Sequence, residues 1–306
     1  MSFLFVDQIL HSIPGQLIHG IKHVTWDDRY LIQIDGHETI FIPSLLGETL
    51  GQLAAWNVMD FHQFSLRPVA GIVASTSLYR HVHPGETIFL ESVIDELDNA
   101  AVRYHSIATV NGEKVFTIDG AIGPLLPMQQ FIDEALVRQQ FAEIYRPSVP
   151  QNPPVAESNG VHTDLHHQKT PSGWQPSCIM AFDRVAVIES HQYWIAQKLV
   201  SRAAGYFADH FPLKPVLPMT VLLQCKLQVT QDFVTSMQLS QKYKVTQLRK
   251  IKMNDFVHPG DSVTTHIKLK SHTDSLLVIS CLSEVNGKRV CVVEVVFEST
   301  HPNSVE

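Results

Sequence analysis

The chain is poor in charge, with 17% of its 306 residues Asp, Glu, Lys or Arg. Lys and Arg are outnumbered 23 to 30 by Asp and Glu, for a formal charge of -7. Phosphate backbones are bound by a clustered excess of positive charge, so this balance excludes a general nucleic-acid binder. Long apolar runs are missing too. No uncharged stretch approaches the roughly 18 residues that a membrane-spanning helix needs, and the first ten residues carry Asp7 and no basic residue, unlike an export signal. The expectation is a soluble, cytoplasmic protein with no membrane association. Cysteine is scarce. Cys178, Cys225, Cys281 and Cys291 form no CxxC pair and sit mostly in apolar surroundings, as reduced structural thiols do. What the chain has in quantity is apolar residues, 44% of the total, enough for two ordinary domains with a core each.

Two domains are also what internal similarity predicts. Asp7 in Val-Asp-Gln-Ile returns as Asp183 in Phe-Asp-Arg-Val, and Tyr30 returns as Tyr206, each 176 residues on. The run Val82 to Glu86 returns as Val257 to Asp261, and Val110-Asn111-Gly112 as Val285-Asn286-Gly287, each 175 residues on. Matches in one order at a nearly constant offset are the mark of a duplication. The expected organisation is an N-terminal domain over 1–128, a helix and linker over 129–177, and a C-terminal domain over 178–300.

Each copy reads in the same order. A short amphipathic segment and a first strand (Leu17 to Thr25, Tyr193 to Val200) lead to a long helix, from near Pro43 to Met59 and from near Pro218 to Met237. Both helices are apolar on most faces, through Leu45, Leu46, Leu50 and Leu53 in one and Val221, Leu222, Leu223 and Val229 in the other. Such a helix is buried all round and has to be wrapped. Strands follow, at Gly71 to Tyr79, Thr87 to Ile94, Ala101 to Ala108 and Val115 to Ile122, with counterparts from Val245 to Phe297. Asn111-Gly112 and Asn286-Gly287 are two-residue hairpin turns, since both central residues of a type I′ turn need positive φ, so the sheet is antiparallel. His-Pro-Gly at 83–85 and 258–260 reads as a turn entering a strand, which leaves His83 and His258 without a catalytic role. Gln129 to Tyr145 reads as a helix. Arg146 to Ser177 is rich in Pro, Ser, Asn and His, and its cluster His162, Asp164, His166 and His167 reads as solvated linker rather than as metal ligands. No metal and no cofactor is expected.

The chemistry gathers in Ala208-Asp209-His210-Phe211-Pro212-Leu213-Lys214-Pro215-Val216-Leu217-Pro218, which runs into the helix carrying Gln224 and Gln228. This resembles the His-Phe-Pro-x-x-Pro-x-x-Pro signature of FabZ- and FabA-type (3R)-hydroxyacyl-acyl-carrier-protein dehydratases, in which a Glu or Asp on the following helix completes the site. The resemblance covers most of each copy and not the linker. It implies an α+β double hotdog, two tandem copies each with a long helix wrapped by an antiparallel sheet. In that family the His comes from one hotdog and the acid from the helix of the other. At the offset of 176, His210 falls opposite Ile34 and Glu48 opposite Gln224, so each copy has lost a different half of the pair. Glu48-x-x-x-Gln52 keeps the family's helix pattern, and Gln224-x-x-x-Gln228 its spacing. The unbroken spacing from Tyr30 to Glu48 leaves His37 as a loop histidine. One complete site, His210 with Glu48, is expected, and one degenerate site, Ile34 with Gln224.

Dehydrating a β-hydroxyacyl thioester takes a base for the α-proton and an acid for the departing hydroxyl. His210 suits the first task and Glu48 the second, as an acid raised in pKa by burial beside apolar side chains, or as a water-orienting group. Backbone N–H groups at a helix start, Met219 and Thr220 or Ser44 and Leu45, are the expected oxyanion donors. Phe211, Pro212, Leu213 and Pro218 complete the expected substrate-binding set. Leu213 and Met219 stand where the family usually has glycine, which narrows the expected acyl tunnel. The product would be the trans-2-enoyl thioester, in fatty-acid or polyketide-type synthesis. The alternatives are an acyl thioesterase using Glu48, and a non-catalytic module that docks a carrier protein. The expected partner is an acyl thioester on acyl carrier protein, or else on coenzyme A, with Lys242, Lys244, Arg249, Lys250 and Lys252 either steering an acidic carrier or forming a plain strand face. Higher oligomers stay open.

Overall fold

In the computed structural model Asn111 and Gly112 take φ of 51° and 82°, and Asn286 and Gly287 take 50° and 76°. These left-handed pairs close the matching hairpins of the two copies, as their chemistry requires. The structure describes residues 3–34, 38–147, 170, 175–176, 180–240 and 242–300. His37, Cys178 and the His162 to His167 cluster lie outside the described residues.

The N-terminal copy contributes β1 (Gln8–Ile13), β2 (Leu17–His23), β3 (Leu31–Ile34), β4 (Glu38–Phe41), α1 (Pro43–Phe61), β5 (Leu66–Pro68), β6 (Ile72–Leu78), β7 (Thr87–Leu97), β8 (Ala101–Val110) and β9 (Glu113–Pro127). After α2 (Glu134–Ile144), the second copy contributes β10 (Arg184–Glu189), β11 (Tyr193–Leu199), α3 (Met219–Ser236), β12 (Tyr243–Met253), β13 (Ser262–His272), β14 (Leu276–Val285) and β15 (Lys288–Ser299). One antiparallel sheet runs β1-β2-β7-β8-β9-β6-β12-β15-β14-β13-β11-β10, with β5 attached to β9. Read from either edge the order is the same, so the two copies are related by a twofold axis at the β6–β12 seam. There Leu248 pairs with Thr76 and Ile251 with Val73.

The two long helices start and stop by shared means. Pro43 opens α1 in its first turn, where a missing N–H costs nothing, and Pro218 immediately precedes α3. Gln63 and Gln238, at matching places just past the helices, take φ of 52° and 51°, left-handed residues that turn the chain out of each helix. Leu45, Leu46, Leu50, Leu53, Val58 and Met59 of α1 are buried, as are Val221, Leu222, Leu223, Val229 and Phe233 of α3. Each fully buried Leu or Phe contributes about 1.5–3 kcal/mol relative to exposure.

The segment 129–145 is not one helix. A 3₁₀ turn spans Met128–Gln130, and α2 starts only after Asp133, whose carboxylate accepts from the N–H groups of Ala135 and Leu136. An N-cap in the middle of the apparent run ends one element and begins another. The copies also differ before their long helices. In the first, β3 and β4 pair antiparallel, Leu31 with Phe41 and Ile34 with Glu38, whereas the matching stretch of the second is the proline-rich loop that carries His210.

Gly20 on β2 marks a close approach between helix and sheet. A Cβ there would lie 2.8 Å from the Gln8 carbonyl oxygen and 2.8 Å from Leu53 Cδ1. Gly20→Ala is expected to destabilise the fold by about 1–3 kcal/mol, as overpacking does, and thermal melting against wild type checks it. An unchanged midpoint would contradict the close approach of α1 to β2.

Candidate active site

The loop carrying His210 is held from several directions. Its own backbone closes with His210 N–H to Tyr206 O at 2.9 Å and Val216 N–H to His210 O at 3.1 Å. Leu213 N–H reaches Phe131 O at 2.9 Å, and Leu217 N–H reaches Val257 O at 2.8 Å. The first copy grips it as well: Phe3 N–H donates to the Asp209 carboxylate at 2.6 Å, and the Phe3 ring meets His210 edge-on with centroids 6.0 Å apart. Phe211 stacks on His210, with centroids 4.1 Å apart. These contacts fix the imidazole before any ligand arrives.

His210 Nδ1 lies 3.0 Å from the Val216 carbonyl oxygen. A carbonyl only accepts, so Nδ1 carries the proton and donates it, which leaves the Nε2 lone pair of the neutral ring free to take another. Burial pushes the pKa of His210 below the usual histidine value, Glu48 and the Val216 contact pull it up, and Arg67 adds to the lowering.

Glu48 sits on α1 with each carboxylate oxygen engaged. Thr220, at the start of α3, donates to Oε2 at 2.7 Å, and Gln52, one turn on, donates to Oε1 at 2.9 Å. Gln52 is itself fixed, donating to Phe3 O at 3.0 Å and accepting from Phe5 N–H at 2.9 Å. The expected surroundings were apolar side chains; the carboxylate instead lies in a polar cradle that crosses the copy interface.

Two residues that the sequence reading passed over join this group. The Arg67 guanidinium of β5 stands 4.1 Å over the Phe211 ring, a cation–π contact, and its buried Nε has no protein partner. Burial drives its pKa down to about 10 against the opposing pull of Glu48. The Tyr104 phenol of β8 is pushed up to about 12, by burial first and by the Glu48 charge second. Neither residue stands in a motif, and Arg67 lies between two turns, so only the folded arrangement brings them in.

His210, Glu48, Gln52, Arg67, Tyr104, Phe211, Met219 and Thr220 all line one cavity of about 1510 Å³. Ile34 and Gln224 line it too. Pro212, Leu213 and Pro218 are not among its lining residues, and Leu213 is 64% exposed, so its side chain does not narrow the cavity. Met219 does line it. His83 bonds Glu38 at 2.8 Å and His258 bonds Pro215 O at 3.1 Å, each beside its turn. Cys225, Cys281 and Cys291 are buried free thiols. Among the described residues no three His, Cys, Asp or Glu side chains group as metal ligands, and no helix is long and apolar enough to cross a membrane.

The chain is 30% identical over 121 residues to the 3-hydroxyacyl-[acyl-carrier-protein] dehydratase FabZ of Bartonella henselae, spanning 77% of that protein and 38% of this chain. The chain belongs to the FabZ dehydratase family. FabZ of Oenococcus oeni is likewise 30% identical, over 120 residues covering 84% of that protein. A sequence profile of the ApeI-like family, described as ApeI dehydratase, matches residues 186–291. In fold, the chain superposes over 98% of its length on the dehydratase domain of PpsC from Mycobacterium tuberculosis, with a TM-score of 0.54 at 13% identity and all of that chain covered. A putative oleoyl thioesterase from Lactobacillus plantarum is covered in full by 95% of this chain, with a TM-score of 0.56 at 13% identity. Both likenesses extend across the two copies, so this family member has the tandem double-hotdog fold. A FabZ-sized match of 38% of the chain accounts for about one hotdog.

The electrostatics around His210 have a measurable sign. Its titration, followed by NMR of the ring protons, should fall below the ordinary histidine value of about 6.5. Arg67→Met removes a cation and should raise it, whereas Glu48→Gln removes an anion and should lower it further. The same direction of shift in both variants would overturn the arrangement.

Proposed function

We propose that this FabZ family member removes water from (3R)-3-hydroxyacyl thioesters, giving trans-2-enoyl thioesters in fatty-acid or polyketide-type synthesis, at one composite site between its hotdogs. The observation that carries the reading is the pairing of a base from one copy with a carboxylate from the other around a single cavity, His210 with its Nε2 free and Glu48 held by Thr220.

The groups divide the reaction between them. His210 Nε2 takes the α-proton, and the C–H electron pair becomes the Cα–Cβ double bond. The β-hydroxyl leaves as water with one added proton, given by Glu48 where its carboxyl is protonated, or by the His210 imidazolium where Glu48 is ionised and orients the leaving group. Negative charge that develops on the thioester oxygen is met by the N–H groups at the start of α3, near Met219 and Thr220, and by Arg67. A fixed cation in a poorly solvated site stabilises such charge far more than it would in water. Gln52 and the Phe3 to Phe5 backbone act through Glu48 as positioning groups.

The acyl group would arrive on an acyl carrier protein, or on coenzyme A. Of the basic run on β12, Arg249 and Lys250 converge with Lys270 on Glu294, at 2.8 Å for Arg249 and 3.1 Å for Lys250. Glu294 offsets one of these three positive charges and ties all three to the strand face, and Lys242 and Lys244, which line the cavity, are the cations proposed to meet an incoming carrier.

His210→Ala and Glu48→Gln are each expected to lower dehydration of 3-hydroxyacyl thioesters, and hydration of trans-2-enoyl thioesters, by at least 10²-fold. Full activity in either would sink the assignment. Arg67→Met should lower kcat by about 10- to 100-fold with partial return in Arg67→Lys, a charge effect that loss of packing alone would not produce. Ile34→Ala should keep the wild-type rate on a short-chain substrate, and a large loss without unfolding would mean that the half-sites are paired differently. Release of free thiol without enoyl product would instead identify a thioesterase.

A further inference from the structure

We propose that the second half-site, around Gln224 and Ser44, is a binding subsite for a hydroxyl group carried on the acyl chain beyond its reacting β-carbon. This rests on the dehydratase reading and adds a substrate class to it, acyl thioesters bearing more than one oxygenated carbon.

Under the twofold relation between the copies, Ser44 stands where Thr220 stands and Gln224 where Glu48 stands. In the complete rung the hydroxyl donates to the carboxylate across the helix pair at 2.7 Å. The other rung makes no such bond. Ser44 Oγ and Gln224 Oε1 are both buried without a protein partner, and their residues are 5% and 6% exposed. Both side chains line the same cavity as His210 and Glu48. Buried polar atoms without hydrogen bonds are costly and rare, and an apolar pair at these positions would carry no such cost.

One ligand group satisfies both atoms. A hydroxyl, which both donates and accepts, can donate to the amide oxygen while accepting from Ser44. A carboxylate has no proton to donate, and Glu38 already lines the same cavity.

Reach is available. Ser44 is one helical turn from Glu48 and Gln224 one turn from Thr220, a rise of ~6 Å in each case. The cavity of about 1510 Å³ also exceeds the roughly 300–1,000 Å³ usual for small-molecule sites. A chain with its thioester end at His210 therefore has room to pass from one rung to the next. Ile34 replaces the base at the second rung, so a hydroxyl bound there is held and not eliminated.

The test compares kcat/KM for 3-hydroxyacyl thioesters of one chain length, without a second hydroxyl and with one at successive carbons. The proteins are wild type, Gln224→Leu and Ser44→Ala, with folding checked by thermal melting. One hydroxyl position should be preferred about tenfold by wild type, with the preference abolished in Gln224→Leu and reduced in Ser44→Ala. Calorimetric binding of the same thioesters to His210→Ala should show the same preference without turnover. No preferred position, a preference that survives both substitutions, or an equal loss on plain and hydroxylated chains would each overturn the subsite. Turnover of plain chains with no preference would fail the subsite alone. A binding preference in His210→Ala with no dehydration by wild type would support the subsite and fail the dehydratase reading.

Discussion

The antiparallel ladder between β6 and β12, where Thr76 meets Leu248 and Val73 meets Ile251, is the constraint on which the rest of the molecule depends. Each copy on its own leaves its β6 or β12 edge, and one flank of its long helix, uncovered. An open edge strand is a template for indiscriminate pairing, and joining two such edges removes both at once. Because the joined strands are antiparallel and equivalent, the ladder imposes a twofold axis on everything packed behind it. The axis brings α1 and α3 together in opposite directions, and so places the first turn of each helix opposite the second turn of the other. Thr220 can bond Glu48 only because of that crossing.

A site built this way needs support from both copies. The first supplies Glu48, Gln52 and Arg67, together with the Phe3 and Phe5 backbone that fixes Gln52. The second supplies His210, whose ring is set by Val216 from behind and by Phe211 from the side. Arg67 rests on Phe211, so the residue that carries positive charge into the cavity is placed by the neighbour of His210. Polar groups that hold one another across an interface are expected to couple strongly when removed in pairs.

Much of this was legible in sequence because it rests on local rules. The duplication showed in the repeated Asn-Gly and His-Pro-Gly turns, whose glycines keep φ of 82°, 76°, 98° and 97° in the fold. The buried helices showed in their apolar faces, and His210 and Glu48 in a loop motif and a helix pattern. What escaped had no local signature. Arg67 and Tyr104 reach the site from β5 and β8 through tertiary packing alone. The Asp133 cap was hidden in a run that reads as one helix, and the β3–β4 pair replaces a loop at a place where the copies share no motif. Leu213 reads as a tunnel residue by its place in the signature and is turned to solvent, because its N–H is tied back to Phe131.

Duplication followed by specialisation also explains why the two rungs differ in kind. In a symmetric pair, a change in the helix start or the catalytic loop acts on both sites together, so neither can be altered without altering the other. Fusion into one chain removes that coupling. The helix that keeps Glu48 can be tuned for proton transfer while its partner, carrying Gln224, takes an uncharged amide. A carboxylate without a base opposite it would be a buried charge with no partner, which is far more costly than a buried amide. Replacing Glu by Gln keeps the shape and the hydrogen-bonding oxygen of the side chain and removes the charge. On the proposed reading, the second rung is the form that the His210–Glu48 rung takes when elimination is no longer required of it and polarity still is.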